Sequence, residues 1–408
     1  MTETDVADIR EDVRWPGAVV VGGGVTGLLT AFELDRRGCA TLVLERGTLC
    51  SGQTGQCHGW LHRGGIFPDA SAEHVDRLDR GARRWMEMIA GLGAAGPVLG
   101  CDVGGLTEET LDAVTAAWQR LGLTHRRVGT GGAGCAWLVE SPERAIVPLT
   151  ALQAIIAGST VILRTAEAVS LLPGRRTSRA EALLIRAGQR MFRLYADAFV
   201  LANGSGITSV LPDSDLASRI TSRLSFMLVV RSSQVGDRGF AVPAQEALGL
   251  FGVPRADGRH QYLLISNFLS YALTADVTYS RLNWLAGIRP TLERFLLDVW
   301  KDDDALWGIY PAIKVEPTRP IALGVSSMAL LTTRFENVCA GVPGKLVLAP
   351  LLAERLADAV APYVRQSVGC PPPLALVHGL PAAQWGPEEW EVTPLVRRAT
   401  LFDEGGCP

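Results

Sequence analysis

"VVVGGGVTGLLTAFELDRRG", residues Val19–Gly38, is the stretch that decides the fold. It continues the apolar run Ala18–Val21, which predicts a buried strand, and Leu28–Arg37 predicts a helix that ends at Gly38. Thr41–Leu44 predicts a second buried strand. A strand, a G-x-G-x-x-G turn, a helix and a second strand in this order indicate a dinucleotide-binding unit.

The glycines of this turn have separate predicted roles. Gly22 permits the tight turn, Gly24 lets the backbone approach a pyrophosphate, and Gly27 allows the helix to pack closely. The N-terminus of the helix then faces the phosphates. Glu45, 18 positions after Gly27, is placed to accept hydrogen bonds from a ribose hydroxyl.

Composition and charge favour a small-molecule ligand. The 408 residues are 48% hydrophobic and 20% charged, which is ordinary for a globular protein large enough for two lobes. A net charge of -3 gives no support for binding to nucleic acid or an anionic membrane. The acidic segment Met1–Asp5 lacks an apolar core, and Lys345 interrupts the longest apolar stretch near the C-terminus. We therefore expect a cytoplasmic protein without a membrane span.

The segment Ser51–Gly65, "SGQTGQCHGWLHRGG", combines glycines with cysteine and histidine. Cys50 and Cys57 with His58 and His62 raise a metal site as an alternative. Structural zinc usually needs tighter cysteine spacing and a second ligand pair, so no metal is predicted. The 8 cysteines contain no C-x-x-C pair and are predicted to be reduced thiols.

Periodic stretches predict the other elements. Helices are predicted at Glu73–Leu92, Leu106–Leu121, Tyr279–Pro290, Leu292–Trp300 and Leu346–Val360. Strand-rich segments are predicted at Val161–Leu172, Glu181–Arg186, Met191–Leu201, Leu224–Arg231 and Tyr262–Phe268. Glycine turns after strands, at Ala202–Gly206 and Gly341–Lys345, mark ligand-facing edges. The Pro-rich tail after Pro362 is predicted to be an arm that packs on the body or on a second subunit.

In this order of elements, the sequence resembles the D-amino-acid oxidase and glycine/sarcosine oxidase superfamily of FAD-dependent oxidoreductases. The resemblance covers about residues 16–362. The motifs that carry it are the opening stretch, "LVLERG" (42–47) with "SGQTG" (51–55), "ADAFVLANGSG" (196–206), "WGIYP" (307–311) and "ENVCAGVPGKLVLAP" (336–350).

The resemblance implies an α/β (α+β) fold with a discontinuous, Rossmann-like FAD-binding domain and an inserted mixed-sheet substrate domain. The FAD-binding domain is expected at 15–72, 142–220 and 318–362, the substrate-binding domain at 73–141 and 221–317, and a C-terminal tail at 363–408. The residues then expected to bind FAD are Gly22, Gly24, Val25, Thr26, Gly27, Glu45, Arg46, Ser51, Gln53, Thr54, His58, Gly59, Trp60, Val169, Ala202, Gly204, Pro311, Gly341, Val342, Pro343, Gly344, Lys345 and Leu346. Among them, Val169 is expected to meet the adenine through its backbone.

The sequence departs from the family pattern at informative positions. The usual G-x-R-P turn has Tyr310 where the family has a carboxylate-binding arginine. The final turn, often Gly-His-Gly-like, carries Lys345 instead. Where some relatives attach FAD through a histidine, this chain has Gln56. Substrate class is therefore less well defined than cofactor.

The candidate catalytic residues are His58, His62, Arg63, Tyr310 and Lys345. The histidines are candidates for proton transfer or covalent flavin attachment, because imidazole titrates near neutral pH. Arg63 is expected to pair with a substrate carboxylate or with a surface acid. Tyr310 lines a pocket or belongs to the core. Lys345 either stabilises negative charge near flavin N1 and C2=O or is a solvated lysine at a helix start.

The favoured function is oxidation of a C–N bond in an amine or amino-acid-like small molecule, by hydride transfer to flavin N5. Alternatives are a 2-hydroxy-acid or alcohol dehydrogenase of the same superfamily and a flavin-binding protein without turnover. An aromatic-ring monooxygenase would have a Gly-Asp dipeptide at Gly341-Val342, and an enzyme that uses NAD alone leaves "VPGKLVLAP" unexplained. The electron acceptor, O2 or another, and the oligomeric state stay open. The Arg, Ala and Gly bias hints at biosynthesis in specialised metabolism.

Overall fold

The computed structural model describes residues 9–402 except 65, 68–69, 94–95, 106, 130–136, 176, 213, 244–248, 319–327 and 366–373. The sequence interpretations of Met1–Asp5, of Cys135, Cys370 and Cys407, and of Leu106 as a helix start lie outside these residues.

The described strands and helices follow one another along the whole chain. The strands are β1 (Ile9–Val21), β2 (Thr41–Glu45), β3 (Trp60–Leu61), β4 (Leu99–Gly105), β5 (Arg126–Gly129), β6 (Trp137–Ala145), β7 (Ile162–Thr165), β8 (Glu167–Pro173), β9 (Ala180–Ala187), β10 (Arg190–Leu201), β11 (Ile220–Arg231), β12 (Gly239–Ala241), β13 (Phe251–Ala256), β14 (Gln261–Ser266), β15 (Tyr271–Ala272), β16 (Leu306–Pro317), β17 (Ala329–Thr332), β18 (Val338–Val342) and β19 (Val396–Arg397). The α-helices are α1 (Val25–Arg36), α2 (Ala72–Ile89), α3 (Glu108–Arg120), α4 (Pro148–Ala157), α5 (Ile207–Val210), α6 (Ser214–Ser218), α7 (Val277–Phe295), α8 (Leu297–Lys301), α9 (Ala349–Val360), α10 (Glu389–Val392) and α11 (Arg398–Phe402).

The first sheet contains the predicted dinucleotide-binding unit. Its strands run in the order β17-β18-β10-β1-β2-β7. In addition, β9 pairs with β10, and β8 pairs with β9. The pairs β1–β2, β1–β10, β10–β18 and β2–β7 are parallel. The carboxyl ends of these strands therefore meet at one edge, where open α/β sheets bind ligands. The prediction of a β1–α1–β2 unit is confirmed.

The second sheet is mixed and has the order β19-β16-β11-β14-β13-β12-β4-β6-β3. Apolar side chains of β11 on one face, including Phe226 and Leu228, share a buried core with Trp284 and Ile288 of α7. The predicted α/β class with an additional mixed sheet is confirmed. The predicted domain boundaries stay predictions. Trp60–Leu61, assigned from sequence to the FAD-binding part, pairs with β6 of the second sheet.

Helix α2 also packs differently from its assignment to the substrate-binding part. Its Trp85 Nε1 donates a hydrogen bond of 2.9 Å to the Leu346 carbonyl, beside the short 3₁₀ turn Leu346–Leu348 that leads into α9. A Cβ at Gly81 would lie 2.2 Å from the Val347 carbonyl oxygen, so the helix backbone approaches this turn closely. Helix α2 therefore braces the turn that carries Lys345.

The predicted helix break at Pro290 is wrong. Helix α7 continues through Pro290 to Phe295, and a new helix begins at Leu297. Proline in a helix interior costs about 3 kcal/mol because it removes a backbone donor. Ile288 and Leu292 are buried on either side of the proline, and we attribute the continuity of the helix to this burial.

Candidate cofactor and active site

Glycines allow the tight turn before α1, and a side chain of a neighbouring loop caps the N-terminus of this helix. Gly22 has φ +106°, in the region that favours glycine, and a Cβ there would lie 2.7 Å from the Ala202 carbonyl oxygen. A Cβ at Gly27 would lie 1.9 Å from the Gly22 carbonyl oxygen. The Val25 amide donates to Thr54 Oγ1 at 2.9 Å, which ties the 48–59 loop to the start of the helix.

Glu45 stands at the carboxyl end of β2 beside this turn. Its carboxylate accepts hydrogen bonds from the amide of Gly23 at 2.8 Å and from the amide of Gly47 at 3.0 Å. These bonds fix the side chain at the edge of the cleft. In dinucleotide folds, an acidic residue at the end of this second strand binds a ribose hydroxyl.

A cleft of about 510 Å³ runs along the carboxyl ends of the parallel strands. Of the residues predicted to bind the cofactor, those that line it are Gly22, Gly24, Val25, Thr26, Glu45, Arg46, Ser51, Gln53, Thr54, Ala202, Gly204, Gly341, Val342, Pro343, Lys345 and Leu346. The predicted residues that are not in its lining are Gly27, His58, Gly59, Trp60, Val169, Pro311 and Gly344.

Among the other lining residues, Gly52, Gln56 and Cys57 lie in the glycine-rich loop, and Asn203, Ser205 and Gly206 in the turn that was predicted to face a ligand, although none of the six was named individually as a cofactor residue. Sequence reasoning missed Val21, Leu44, Cys50, Ala166, Glu167, Ala168, Ser209, Val210, Ile313 and Val315. The signal for Asn203 was present, since it stands inside the quoted strand-end turn. Its Oδ1 atom is buried and has no hydrogen-bond partner among the described residues, as expected of a group that awaits a ligand.

Val169 is not in the lining of the cleft, and its expected backbone contact with the adenine stays a prediction; β8 has a local irregularity at this position. The register of the β8–β9 pair shifts between Ala168 and Ser170, on either side of Val169. Ala166, Glu167 and Ala168 line the cleft instead. A cofactor contact near the start of this strand was predicted. Which residue lines the cleft there depends on a register shift that cannot be predicted from the sequence.

The 48–59 loop is held against β16 of the second sheet through glutamine side chains. Gln53 Oε1 accepts from the Val315 amide at 3.1 Å, and Gln56 Oε1 accepts from the Ile313 amide at 3.4 Å. Cys50 at the loop start adopts φ 65°, which is uncommon for a residue other than glycine. The loop therefore joins the first sheet to the second across the cleft.

His58 is fixed as a neutral ring. Its Nδ1 accepts from the Trp60 amide at 3.2 Å, and the ring stacks on Phe251 with centroids 5.3 Å apart. Burial, aided by the charges of Lys314, Arg255 and Lys345, lowers the pKa of His58 to about 3. The sequence interpretation of a histidine that titrates near neutral pH therefore does not hold here. With Nδ1 as an acceptor, the neutral ring carries its proton on Nε2 and serves as a hydrogen-bond donor.

His62 lies in a largely aromatic pocket. Its ring contacts those of Phe67 and Phe251 at centroid distances of 5.2 and 5.5 Å. Its Nδ1 lies 4.0 Å from the buried Glu143 carboxylate, which also accepts from Trp60 Nε1 at 2.5 Å. Burial, followed by the charge of Lys345, lowers the pKa of His62 well below its usual value. His62 is therefore also neutral at neutral pH.

Arg63 is engaged away from the cleft. Its guanidinium pairs with Asp79 of α2, and Nε donates to that carboxylate at 2.6 Å. Asp79 is only 1% exposed, so the pair is largely withdrawn from water. The two partners predicted for Arg63 were a substrate carboxylate and a surface acid. In the structure its partner is an acidic residue of the protein, but this residue is buried.

Tyr310 takes the core alternative among those predicted for it. The side chain is buried with Met227, Leu264 and Trp390, and its hydroxyl donates to the Gln56 carbonyl at 3.5 Å. Burial raises the pKa of Tyr310 well above its usual value. It therefore supports the 48–59 loop from the side of the sheet, and the next residue, Pro311, is exposed.

Lys345 and Lys314 are neighbouring cations, and of the two only Lys345 is in the lining of the cleft. Lys345 lines the cleft, and its Nζ lies 4.4 Å from the centre of the Phe67 ring. Lys314 is opposite Arg223 in the β11–β16 ladder, and like charges opposite one another are destabilising. Arg223 pairs with Glu316. In the part of the chain that the structure describes, neither lysine forms an ion pair or hydrogen bond of its own.

The surroundings of these lysines weaken their hold on protons. Burial lowers the pKa of Lys345 to about 7, with Glu316 opposing and Lys314 and Arg223 adding to the effect. Burial also lowers the pKa of Lys314. Lys345 therefore changes charge near neutral pH, which is a property expected of a functional group. Lys314 was not predicted, because its neighbours depend on strand register.

The family of this protein can now be stated. The sequence profile of the DAO family, described as FAD dependent oxidoreductase, matches residues 18–359. The chain belongs to this family. FAD is therefore its cofactor, and the family's members are oxidases and dehydrogenases. The confirmed cofactor prediction rested on the glycine turn and the strand-end motifs.

Comparison with individual proteins agrees at the level of the fold. A solved FAD-dependent oxidoreductase of Pseudomonas aeruginosa has a TM-score of 0.67 at 18% identity, covering 94% of this chain and 99% of that one. Glycine oxidase from Geobacillus kaustophilus has a TM-score of 0.64 at 16% identity, covering 87% and 96%.

The curated relatives match over a shorter stretch. Subunit A1 of anaerobic glycerol-3-phosphate dehydrogenase from Haloferax volcanii is 34% identical in an alignment of 118 positions that covers 25% of this chain. The match spans only 20% of that relative's length.

The residues of the cleft fit FAD. Backbone amides at the start of α1, the fixed Glu45 carboxylate and the unpartnered Asn203 Oδ1 supply the polar contacts that a dinucleotide needs. Residues Gly22–Thr26 would hold the pyrophosphate and Glu45 the ribose, as in other dinucleotide folds.

The described residues contain no group of three or more His, Cys, Asp or Glu side chains that could hold a metal ion. None of the described helices is long and apolar enough to cross a membrane.

Proposed function

We propose that the protein oxidises the C–N bond of a small amine that also carries a carboxylate. A hydride leaves the carbon that bears nitrogen, the nitrogen loses a proton, and the C–N single bond becomes an imine. FAD, when bound, supplies the two-electron acceptor for that hydride at its N5 atom.

The observation that carries this proposal is the unpaired lysine group. Lys314 and Lys345 lack ion-pair partners in the described chain, and the nearby Glu316 is already paired with Arg223. Unpaired positive charge in a partly buried site is costly, and a bound anion relieves that cost. The substrate carboxylate is the anion proposed here, with Lys314 as its main partner. Lys314 is thereby proposed to take over the role of the arginine that the family turn has and this chain lacks.

Lys345 is proposed to accept the proton that the substrate nitrogen loses. A lysine whose pKa is lowered to about 7 is partly neutral at neutral pH and can act as a base. His58, whose low pKa prevents it from taking a proton, is proposed to be a hydrogen-bond donor through Nε2 rather than a base.

The test is anaerobic reduction of the bound flavin, followed as loss of its yellow absorbance. Matched sets of small molecules would be compared: an amino acid, the same amine without its carboxylate, and the corresponding 2-hydroxy acid. The proposal expects the amino acid to bleach the flavin fastest. Equal rates with and without the carboxylate would remove the role of the lysines. Bleaching by none of the three would favour a flavin-binding protein without turnover.

A variant pair sharpens this test. Lys314→Met should lower kcat/KM for the amino acid by about 10- to 100-fold, mostly through KM, since a charge-assisted contact is worth about 1.5–3 kcal/mol. The control is Lys301→Met, which removes an exposed lysine of α8. The carboxylate-free amine should not distinguish Lys314→Met from the control.

A second candidate function is oxidation of an alcohol that carries an anionic group. The curated relatives are glycerol-3-phosphate dehydrogenase subunits, and a phosphate or carboxylate would equally suit unpaired lysines. Glycerol-3-phosphate therefore belongs in the same panel. If it or the hydroxy acid bleaches the flavin while the amino acid does not, this second candidate replaces the first.

A further inference from the structure

The family match ends at residue 359, yet a later part of the chain contacts the loop that lines the cleft. Residues 381–390, here called the C-terminal segment, first extend the open edge of the first sheet. The Thr165 amide donates to the Pro381 carbonyl at 2.8 Å, and the Ala383 amide donates to the Leu163 carbonyl at 3.3 Å. The segment then turns onto the 48–59 loop.

Backbone hydrogen bonds join the C-terminal segment to this loop. Leu49 donates its amide to the Gln384 carbonyl at 2.8 Å and accepts from the Gly386 amide at 3.2 Å. The Glu389 amide donates to the Gly55 carbonyl at 3.1 Å. Cys50, Ser51, Gly52, Gln53 and Thr54, which lie between these contacts, all line the cleft. The loop is therefore pinned on both sides of its cofactor-facing part.

Glu388 adds a buried carboxylate to these contacts. Its side chain is 3% exposed, accepts from Trp390 Nε1 at 2.6 Å, and accepts from the Leu149 amide at the start of α4 at 3.4 Å. Arg255 Nε of β13 lies 3.7 Å from the same carboxylate. A carboxylate withdrawn from water in this way needs such partners.

Arg255 carries the link onward to His58. This guanidinium is itself buried, and its second terminal nitrogen donates to the His58 carbonyl at 3.1 Å and to the Ile146 carbonyl at 3.0 Å. Gly59 has φ +77°, and a Cβ there would lie 3.0 Å from that nitrogen. The loop backbone therefore passes directly over the guanidinium at Gly59. The neighbouring His58 carries the proposed hydrogen-bond donor.

We propose that the C-terminal segment supports the FAD site from behind its lining loop and that Glu388, acting through Arg255, is a positioning residue for the 48–59 loop. The ion pair with Glu388 holds the Arg255 guanidinium in place, and the guanidinium holds the His58 carbonyl through its hydrogen bond. The backbone hydrogen bonds of the segment hold Leu49 and Gly55. A loop ordered in advance loses less conformational freedom when FAD binds, so the arrangement increases affinity for the cofactor.

A purely structural role is the competing explanation. Trp390 packs on Tyr262, with ring centroids 5.1 Å apart, and shares a buried cluster with Tyr310. The segment could therefore contribute only apolar cover to the second sheet. That role predicts a loss of stability in the protein without FAD, whereas a positioning role predicts a change in FAD binding itself.

The test is titration of the full-length apoprotein with FAD. Glu388→Gln keeps the shape and removes the charge, and should raise the FAD Kd by about tenfold, the value of one charge-assisted contact. The visible circular dichroism of the bound flavin should also change. Glu391→Gln is the matched control, because Glu391 is exposed in the same short helix and glutamine serves equally in its capping box. An unchanged Kd and spectrum in Glu388→Gln would overturn the proposal.

A second variant keeps the test valid if Glu388→Gln does not fold. Arg255→Lys keeps the positive charge but lacks the fork that reaches both Glu388 and the His58 carbonyl. It should raise the FAD Kd by a similar factor, and adding Glu388→Gln should raise it little further, since both changes break one link. A wild-type Kd in Arg255→Lys, or fully additive effects, would contradict the proposal. The readout is FAD binding alone, so the result is independent of which substrate is oxidised.

Discussion

At the scale of single residues, burial decides which groups near the cleft can exchange protons. Burial lowers the pKa of His58 to about 3 and that of Lys345 to about 7, while it raises the pKa of the Cys57 thiol to about 11. In each case the charged form is penalised. Of these three groups, Lys345 is the one whose charge changes near neutral pH. The proposed proton acceptor is therefore the lysine of the turn rather than a histidine of the loop.

Replacing Lys345 tests this reasoning through stability. Its folded pKa of about 7 is below the ordinary 10.5, so between these values the unfolded chain binds more protons and the free energy of unfolding rises with pH. Lys345→Met should raise the free energy of unfolding of the apoprotein by about 2–4 kcal/mol at pH 6. This gain should shrink steadily as pH rises above 7. Urea unfolding at pH 6 to 9.5 measures it, with Lys301→Met as control. A pH-independent difference would refute the lowered pKa.

Gly24 offers a second residue-scale test. A Cβ there would meet Thr54 Oγ1 at 3.2 Å, and Thr54 must stay in place to cap the Val25 amide. Gly24→Val should therefore raise the FAD Kd by about 100-fold, and the purified protein should lose its yellow colour. Gly236→Val is the control, because Gly236 is exposed and a Cβ there meets nothing within 4 Å. Colour retained in Gly24→Val would mean that the pyrophosphate binds elsewhere.

The residues that sequence predicted well are those whose role is local. Gly22 and Gly24 could be assigned because a backbone that must turn tightly at a strand end needs glycine whatever surrounds it. Lys314 could not be assigned, because its importance comes from standing opposite Arg223 in another strand. Arg63 was left with two partners because Asp79 is 16 positions away and only folding brings the two together.

At the scale of elements, the distinction between local signals and long-range packing separates the confirmed helices and strands from the helix break that was predicted wrongly. The β1–α1–β2 unit and strands β9, β10 and β11 follow from hydrophobic pattern and turn residues, which are local signals. The break at Pro290 was wrong because the local cost of proline was weighed without the burial of α7 on the second sheet. That the tail packs on the body was one of its two predicted alternatives, but its partners in the 48–59 loop could not be predicted, since these contacts join residues more than 330 positions apart.

Helix α7 allows this balance to be measured. Pro290 is exposed and lies inside the helix, so Pro290→Ala should restore a backbone donor without disturbing the core. We expect the free energy of unfolding to rise by about 1–2 kcal/mol, less than the full cost of proline because the unfolded chain also gains freedom. Urea unfolding measures the change, with Asn283→Ala on the same helix as control. A destabilised Pro290→Ala variant would show that the helix needs the shape that proline imposes.

At the scale of the whole molecule, the cleft joins the two sheets. Its lining includes Val21 and Val342 of the first sheet and Ile313 and Val315 of the second. The 48–59 loop bridges the two through Gln53 and the α1 terminus. A ligand that fills the cleft therefore contacts both sheets at once, and its binding energy should be shared by both when the protein unfolds.

Thermal unfolding with FAD and its fragments tests this view. FAD at about 100 times its Kd should add about 2.7 kcal/mol to the free energy of unfolding. The midpoint of unfolding should shift for the whole protein, as a single transition. ADP and FMN, each filling part of the cleft, should stabilise less than FAD. Glu45→Ala should weaken FAD and ADP by about tenfold and leave FMN unchanged, because Glu45 stands at the predicted ribose position. Glu181→Ala, an exposed change on β9, is the control. Two transitions of which FAD moves only one, or equal stabilisation by FMN and FAD, would contradict a single cleft that joins both sheets.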